Sequence, residues 1–140
     1  MIAFDTNLLV RAAVNDDLGQ VAIVRRLLLS HEVFIPRTVL LETEWVLRAS
    51  YKKTRDQIAG FFKDLLDAEN TTIEEHNSVK QALGWYRLGA DFADALHLAA
   101  CGNAVMHTFD HSFCRGARDA GIAPLVRVLE VNARTDPAAS

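Results

Sequence analysis

The sequence predicts an α/β fold of three layers, a short central parallel sheet of four to five strands flanked by helices. Three observations point to it. Several apolar runs have the length of strands, and the stretches between them repeat their apolar residues at helical spacing. The two kinds of segment then alternate along the chain, which is the order that βαβ units and parallel sheets require.

Each element has its own justification. "IAF" (2–4) is a short apolar run ended by polar residues, a candidate buried strand. Residues 17–30, "DLGQVAIVRRLLLS", keep a helical period, with Leu18, Val21, Ala22, Leu28 and Leu29 among the apolar positions. "VFI" (33–35) is a second strand closed by Pro36, and a helix follows over about 37–51. In "TRDQIAGFFKDLLDA" (54–68), Ile58, Phe61, Phe62, Leu65 and Leu66 recur at three and four, and Thr54 with Gln57 fits a capping box. A short strand is expected around 71–73, then a helix over 75–88 with Val79, Leu83 and Tyr86 on its apolar side, stopped by Gly89. Asp91 can cap the next helix, which ends near Gly102. "AVMHTF" (104–109) and "VRVLE" (126–130) read as further strands, with a short helix at about 112–120 between them. The tail "NARTDPAAS" (132–140) lacks large apolar side chains and is expected to be flexible, leaving one domain over 1–131.

With 140 residues, the chain can bury one sizeable core. Half of it is hydrophobic and 24% is charged, ordinary values for a globular protein. Its apolar runs are too short to span a bilayer, and no leader precedes "MIAFDTN", so a cytoplasmic protein without a membrane partner is expected. Cys101 and Cys114 cannot form a disulfide framework, which fits a reducing compartment. A net charge of −3 argues against a surface that coats nucleic acid. Set aside four of the eighteen acids as a cluster, however, and the fifteen basic residues outnumber the rest by one.

Four acids fall where an α/β sheet builds its sites, outside the carboxyl ends of the strands. Asp5 follows the first strand and Asp110 the fourth; Glu42 lies one to two turns into the helix after the second, and Asp94 in the first turn of its own helix. Taken singly, Asp5, Asp91 and Asp110 also suit caps or turns, and Asp94 suits the positive end of a helix dipole. Glu42 sits in "TVLLETEWVL", apolar on almost every side, whereas Glu44 belongs to another face and is expected to be the exposed one of the two. Carboxylates that face one another repel. Hard divalent cations relieve this, and Mg²⁺ in particular is held by a few carboxylates together with substrate phosphate.

"MIAFDTNLLV", "VLLETEWVL", "DFADALHLAA" and "HTFDHSF", in this order and spacing, resemble a PIN domain, and within that family the VapC-type toxins of bacterial toxin–antitoxin pairs. The resemblance spans about residues 1–130. It implies a Mg²⁺- or Mn²⁺-dependent endoribonuclease that hydrolyses RNA phosphodiesters without a covalent enzyme intermediate. Asp5, Glu42 and Asp94 map onto the family's first three acids. At the fourth position many relatives carry "TRN" with "DF" soon after, whereas this chain has "TFD" and Ser112 before Phe113, so Asp110 takes the fourth place. Asp91 fits a recurrent outer acid, and Thr6, Asn7 and Thr108 fit polar positions that orient carboxylates. Arg11, Arg37 and Arg48 are candidate clamps for the RNA backbone. A homodimer and a cognate antitoxin are also implied, with Leu8, Leu9, Val24 and Leu28 as candidate contacts if they are not core.

Three other readings compete. A haloacid-dehalogenase-like phosphatase also has an aspartate after its first strand, but usually with a second acid two residues on, where this chain has Asn7. Zinc could be bound by Cys101, His107, His111 and Cys114, although their spacing is not that of a finger. A non-catalytic α/β binding module would keep the fold and need none of the acids.

Overall fold

The computed structural model describes residues 1–131; the expected flexible tail, 132–140, lies outside the described residues. In chain order the elements are β1 (Ile2–Ala3), α1 (Thr6–Ala13), α2 (Leu18–Ser30), β2 (Val33–Ile35), α3 (Arg37–Ala49), α4 (Arg55–Asp67), β3 (Thr71–Ile73), α5 (His76–Arg87), α6 (Phe92–Ala99), β4 (Met106–Thr108), α7 (Arg115–Asp119) and β5 (Val126–Val128).

All five expected strands form, and every ladder among them is parallel. They hydrogen-bond as two groups, β1-β2-β3 and β4-β5, rather than as one continuous sheet. β1 is the short edge strand of the first group, pairing with β2 through Ile2 and Ala3 before the chain turns into α1 at Thr6.

Side-chain chemistry sets the helix boundaries. Thr54 and Gln57 close a reciprocal capping box at the start of α4, each bonding the other's backbone. Asp5, Asp17 and Asp91 cap α1, α2 and α6 by accepting backbone N–H groups. After α5 the chain turns through Gly89 at φ +100°, a conformation that side chains with a Cβ rarely adopt. That is why the helix stops there and Asp91 can begin another.

One core joins these elements. Phe4, Val33 and Ile35 from the strands meet Leu9, Leu40, Leu47, Ile58 and Phe62 from the helices, all buried. The ring of Phe92, at the start of α6, lies 5.3 Å from Phe62 and 5.3 Å from Tyr86, the latter edge-on at 74°. Burying a ring of that size contributes about 1.5–3 kcal/mol, so Phe92 ties the acid-bearing end of α6 firmly to α4 and α5.

The period of α2 is less faithful to its burial. Val21 and Val24 are buried, but Leu18, Ile23 and Leu29 are exposed. Among the described residues no helix is long and apolar enough to cross a membrane.

Candidate active site

The acids gather in two neighbouring groups. In the first, Asp5 ends β1 and its carboxylate accepts the N–H of Asn7 at 3.1 Å, which caps α1. The next residue, Thr6, is buried and donates its hydroxyl to Glu42 Oε1 on α3. Two positions 36 residues apart in sequence are thereby locked together. Asn7 orients Asp5 through its backbone, and the residue lines the groove between α1 and α2 with Leu8, Arg11 and Ile23.

In the second group, Asp91 caps α6 by accepting the N–H of Asp94 at 3.0 Å. One turn in, Asp94 is half-buried, and its pKa is raised above the ordinary carboxylate value, first by burial and then by the charges of Asp91 and Asp110. Asp110 follows β4, and its Oδ1 accepts from both the N–H (2.9 Å) and the hydroxyl (2.7 Å) of Ser112. These two bonds hold Asp110 below the ordinary carboxylate value. Its own N–H donates to Thr108 Oγ1 at 3.0 Å, so Thr108 steadies the turn.

Asp91, Asp94, Asp110 and Ser112 line a cleft of about 580 Å³ together with Glu44, Arg48, Arg55 and Tyr86. Glu44, Arg48 and Asp91 also line an adjoining recess of about 310 Å³, which Glu42 and Trp45 share. Glu42 of the first group therefore borders a surface continuous with the second group, while Asp5 lines neither cavity. A separate cavity of about 420 Å³, beside Ala12, Leu47 and Phe61, includes none of the expected acids.

The two glutamates of α3 correct the sequence-based expectation. Glu44 is only 3% exposed, whereas Glu42 is exposed apart from its bond to Thr6. A helix advances about 100° per residue, so 40, 44 and 47 share a face. Glu44 thus lies in the buried strip of Leu40 and Leu47, and the spacing alone would have shown it. Its charge is compensated locally. The Tyr86 hydroxyl donates to Oε2 at 3.0 Å, and Arg48 Nε donates to the same oxygen at 2.9 Å. Burial first, then the Glu44 charge, push the Tyr86 phenol well above its ordinary pKa, so it stays a neutral donor.

Arg55 is a residue of the cleft that the sequence does not single out. It donates to the carbonyls of Tyr86 (2.8 Å) and Ala90 (2.6 Å), and its guanidinium lies over the Tyr86 ring, 4.4 Å from the centroid. It therefore fixes the turn that delivers Asp91 and Asp94. A lone arginine opening an amphipathic helix carries no sequence signal for such a role. All three expected clamps are paired, Arg11 with Asp16 and Tyr51, Arg37 with Glu74 and Arg48 with Glu44, and of these three Arg48 is the one that lines the cleft. The expected partner contacts Leu9 and Val24 are core, and Leu8 and Leu28 are half-buried against it.

The zinc reading loses its ligands. Cys114 is buried, with its thiol pushed up to about 11 by that burial, and Cys101 Sγ donates to the His97 carbonyl at 3.3 Å. Among the described residues no three His, Cys, Asp or Glu side chains stand together as a finished metal cage. Even so, the chemistry of the second acidic group suits a hard divalent ion. It is all oxygen, and Asp94 is held against two other carboxylates with no Lys or Arg ion pair among the described residues.

The family model described as PIN domain matches residues 2–119, from β1 to the end of α7. The chain belongs to the PIN domain family. PIN domains are typically nucleases and generally use divalent metal ions, and the matched span contains every acid described above. No curated protein matches the sequence.

Proposed function

We propose that this PIN domain is a Mg²⁺- or Mn²⁺-dependent endoribonuclease and the toxin of a toxin–antitoxin pair. The observation that carries the nuclease reading is Asp94. It is held half-buried in the cleft beside Asp91 and Asp110, and among the described residues it forms no ion pair with a Lys or Arg. A fold tolerates such repulsion where a cation joins the site. Asp5, Glu42, Asp94 and Asp110 would hold the ion or ions. Bound there, a divalent metal supplies an activated water and stabilises the charge that builds on the phosphodiester.

The remaining residues prepare that site. Thr6 fixes Glu42, Ser112 fixes Asp110, and Asp91 fixes the first turn of α6 that carries Asp94. Tyr86 lines the cleft but is held protonated, which suits attack by water rather than by an enzyme nucleophile. A toxin role predicts a homodimer and a cognate antitoxin, and the exposed Leu18, Ile23 and Leu29 of α2 offer apolar surface for a protein partner.

Purified protein incubated with RNA and Mg²⁺ tests the reading. Cleavage should require the metal, vanish with chelator and be lost in Asp5→Ala and Asp94→Ala. If both variants cut as well as the parent, the metal-site assignment is wrong. If the protein binds RNA and never cuts it, a binding module is the better reading. Growth arrest on expression, relieved by the neighbouring small reading frame, tests the toxin role.

A further inference from the structure

We propose that the recess beside the acidic cleft is a nucleotide subsite. In it the indole of Trp45 stacks on one base of a single-stranded substrate, and the Arg48 guanidinium binds the adjoining phosphate. The inference rests on the ribonuclease reading above and names how the strand is held.

Trp45 is 56% exposed while the other tryptophan, Trp85, is 2% exposed, so only Trp45 has an indole face free of the core. It sits three residues after Glu42 and three before Arg48, a spacing that puts all three on one side of α3. The recess is walled by Leu41, Trp45 and Ala93, an apolar lining suited to a base, and it opens at Arg48 and Asp91 onto the acidic cleft. A strand entering there would pass from a stacking surface directly to the acids.

Arg48 stands at the junction of the two cavities and is fixed before any ligand arrives. Glu44 engages its Nε at 2.9 Å and its Nη2 at 3.5 Å, and Tyr86 holds Glu44 in turn at 3.0 Å. Nη1 makes no hydrogen bond among the described residues. A planar guanidinium held on one edge presents its remaining N–H groups to phosphate. On a chain of net charge −3, a strand of phosphates needs such a fixed cation beside the carboxylates. Stacking requires an unpaired base, so the subsite selects single strands or loops over duplex.

The test uses the full chain and a short single-stranded RNA of mixed sequence. Steady-state cleavage in Mg²⁺ gives KM and kcat; titration in Ca²⁺ follows tryptophan fluorescence and its dependence on salt. The RNA should quench the exposed Trp45, and a hairpin stem of equal length should quench far less. Trp45→Ala should raise KM about 5- to 160-fold, the range for losing one base–aromatic stack, with kcat and the Mn²⁺-induced rise in Tm unchanged. Trp45→Phe should retain most of the affinity. Arg48→Gln should lower the slope of log affinity against log salt by about 0.7, the loss of one phosphate contact to a single strand. If the parent cuts RNA and Trp45→Ala does so with an unchanged KM, the subsite is refuted and the ribonuclease reading stands. If Trp45→Ala alters only the oligomeric state, the recess is an interface between copies and the subsite is likewise refuted. If the parent neither binds nor cuts RNA, both readings fall.

Discussion

Asp94→Asn should stabilise the metal-free protein at neutral pH. The substitution keeps the shape of the side chain and its capacity to accept hydrogen bonds, and it removes a charge held near Asp91 and Asp110. The folded-state pKa of Asp94 is raised above the ordinary carboxylate value, so the folded chain binds this proton more tightly than the unfolded chain. Stability from this group is therefore fully present below that value and is lost as pH rises through the raised folded pKa. Above that window the cost is constant, and the Asn variant never incurs it. Because the carboxyl is partly solvated, the gain is about 0.5–1 kcal/mol, the scale for screened charges. For a chain of this size that corresponds to roughly 2–4 °C in Tm. Thermal unfolding in chelator should show the two proteins converging toward about pH 4 and the variant ahead at pH 7. Saturating Mn²⁺ should reverse the order, because an ion at about 100 times its Kd adds about 2.7 kcal/mol to the parent. A variant that melts below the parent at pH 7 without metal would refute the idea that Asp94 is held against like charges.

The other predictions concern the residues that hold the site. Tyr86→Phe removes one of the donors to the buried Glu44 carboxylate and should cost about 1–3 kcal/mol in urea unfolding, with the transition slope unchanged. Ser112→Ala removes the hydroxyl bond to Asp110; Mn²⁺ affinity measured by calorimetry should fall about 10-fold or more, as for other groups that orient ligands. In Thr54→Ala the capping box of α4 is broken, and the melt should shift by about 0.5–2 kcal/mol with RNA cleavage retained.

Much of this architecture is visible in sequence because local rules and tertiary packing agree. In α4, Thr54 and Gln57 mark the start, and Ile58, Phe62 and Leu65 mark the buried face. Gly89 marks the end of α5, and its positive φ gives the reason. Agreement fails where a residue's role depends on a distant partner. Whether the five strands join as one sheet depends on hydrogen bonds that strand propensity does not encode. The hydrogen bond from Thr6 to Glu42 links α1 to α3 across 36 positions, and nothing local to either residue announces it. Glu44 differs from these cases, because its burial follows from helical spacing. Treating its helix as apolar all round hid a periodicity that was present. Leu18 and Leu29 depart in the opposite direction: apolar residues in a helical period predict a core face, yet these two lie on the surface.

The acids also show why a cap and a functional group need not be competing explanations for one residue. Asp5 engages Oδ1 with Asn7, Asp91 engages Oδ1 with Asp94, and Asp110 engages Oδ1 with Ser112. In each case one oxygen is spent on the backbone and fixes the orientation of the carboxylate; the other makes no hydrogen bond among the described residues. The cap therefore provides the preorganisation that an ion or substrate would otherwise have to impose. Asp91 offers the cleanest separation of the two roles. Asp91→Asn preserves a side-chain oxygen for the Asp94 N–H and should leave Tm close to that of the parent, since Asn caps as well as Asp. Asp91→Ala loses the cap and should cost about 1 kcal/mol. Both variants remove one of the two carboxylate charges that, after burial, raise the Asp94 pKa, so the acid limb of the pH–rate profile should shift downward in both. Equal destabilisation by Asn and Ala would show that the cap contributes nothing separable from the charge.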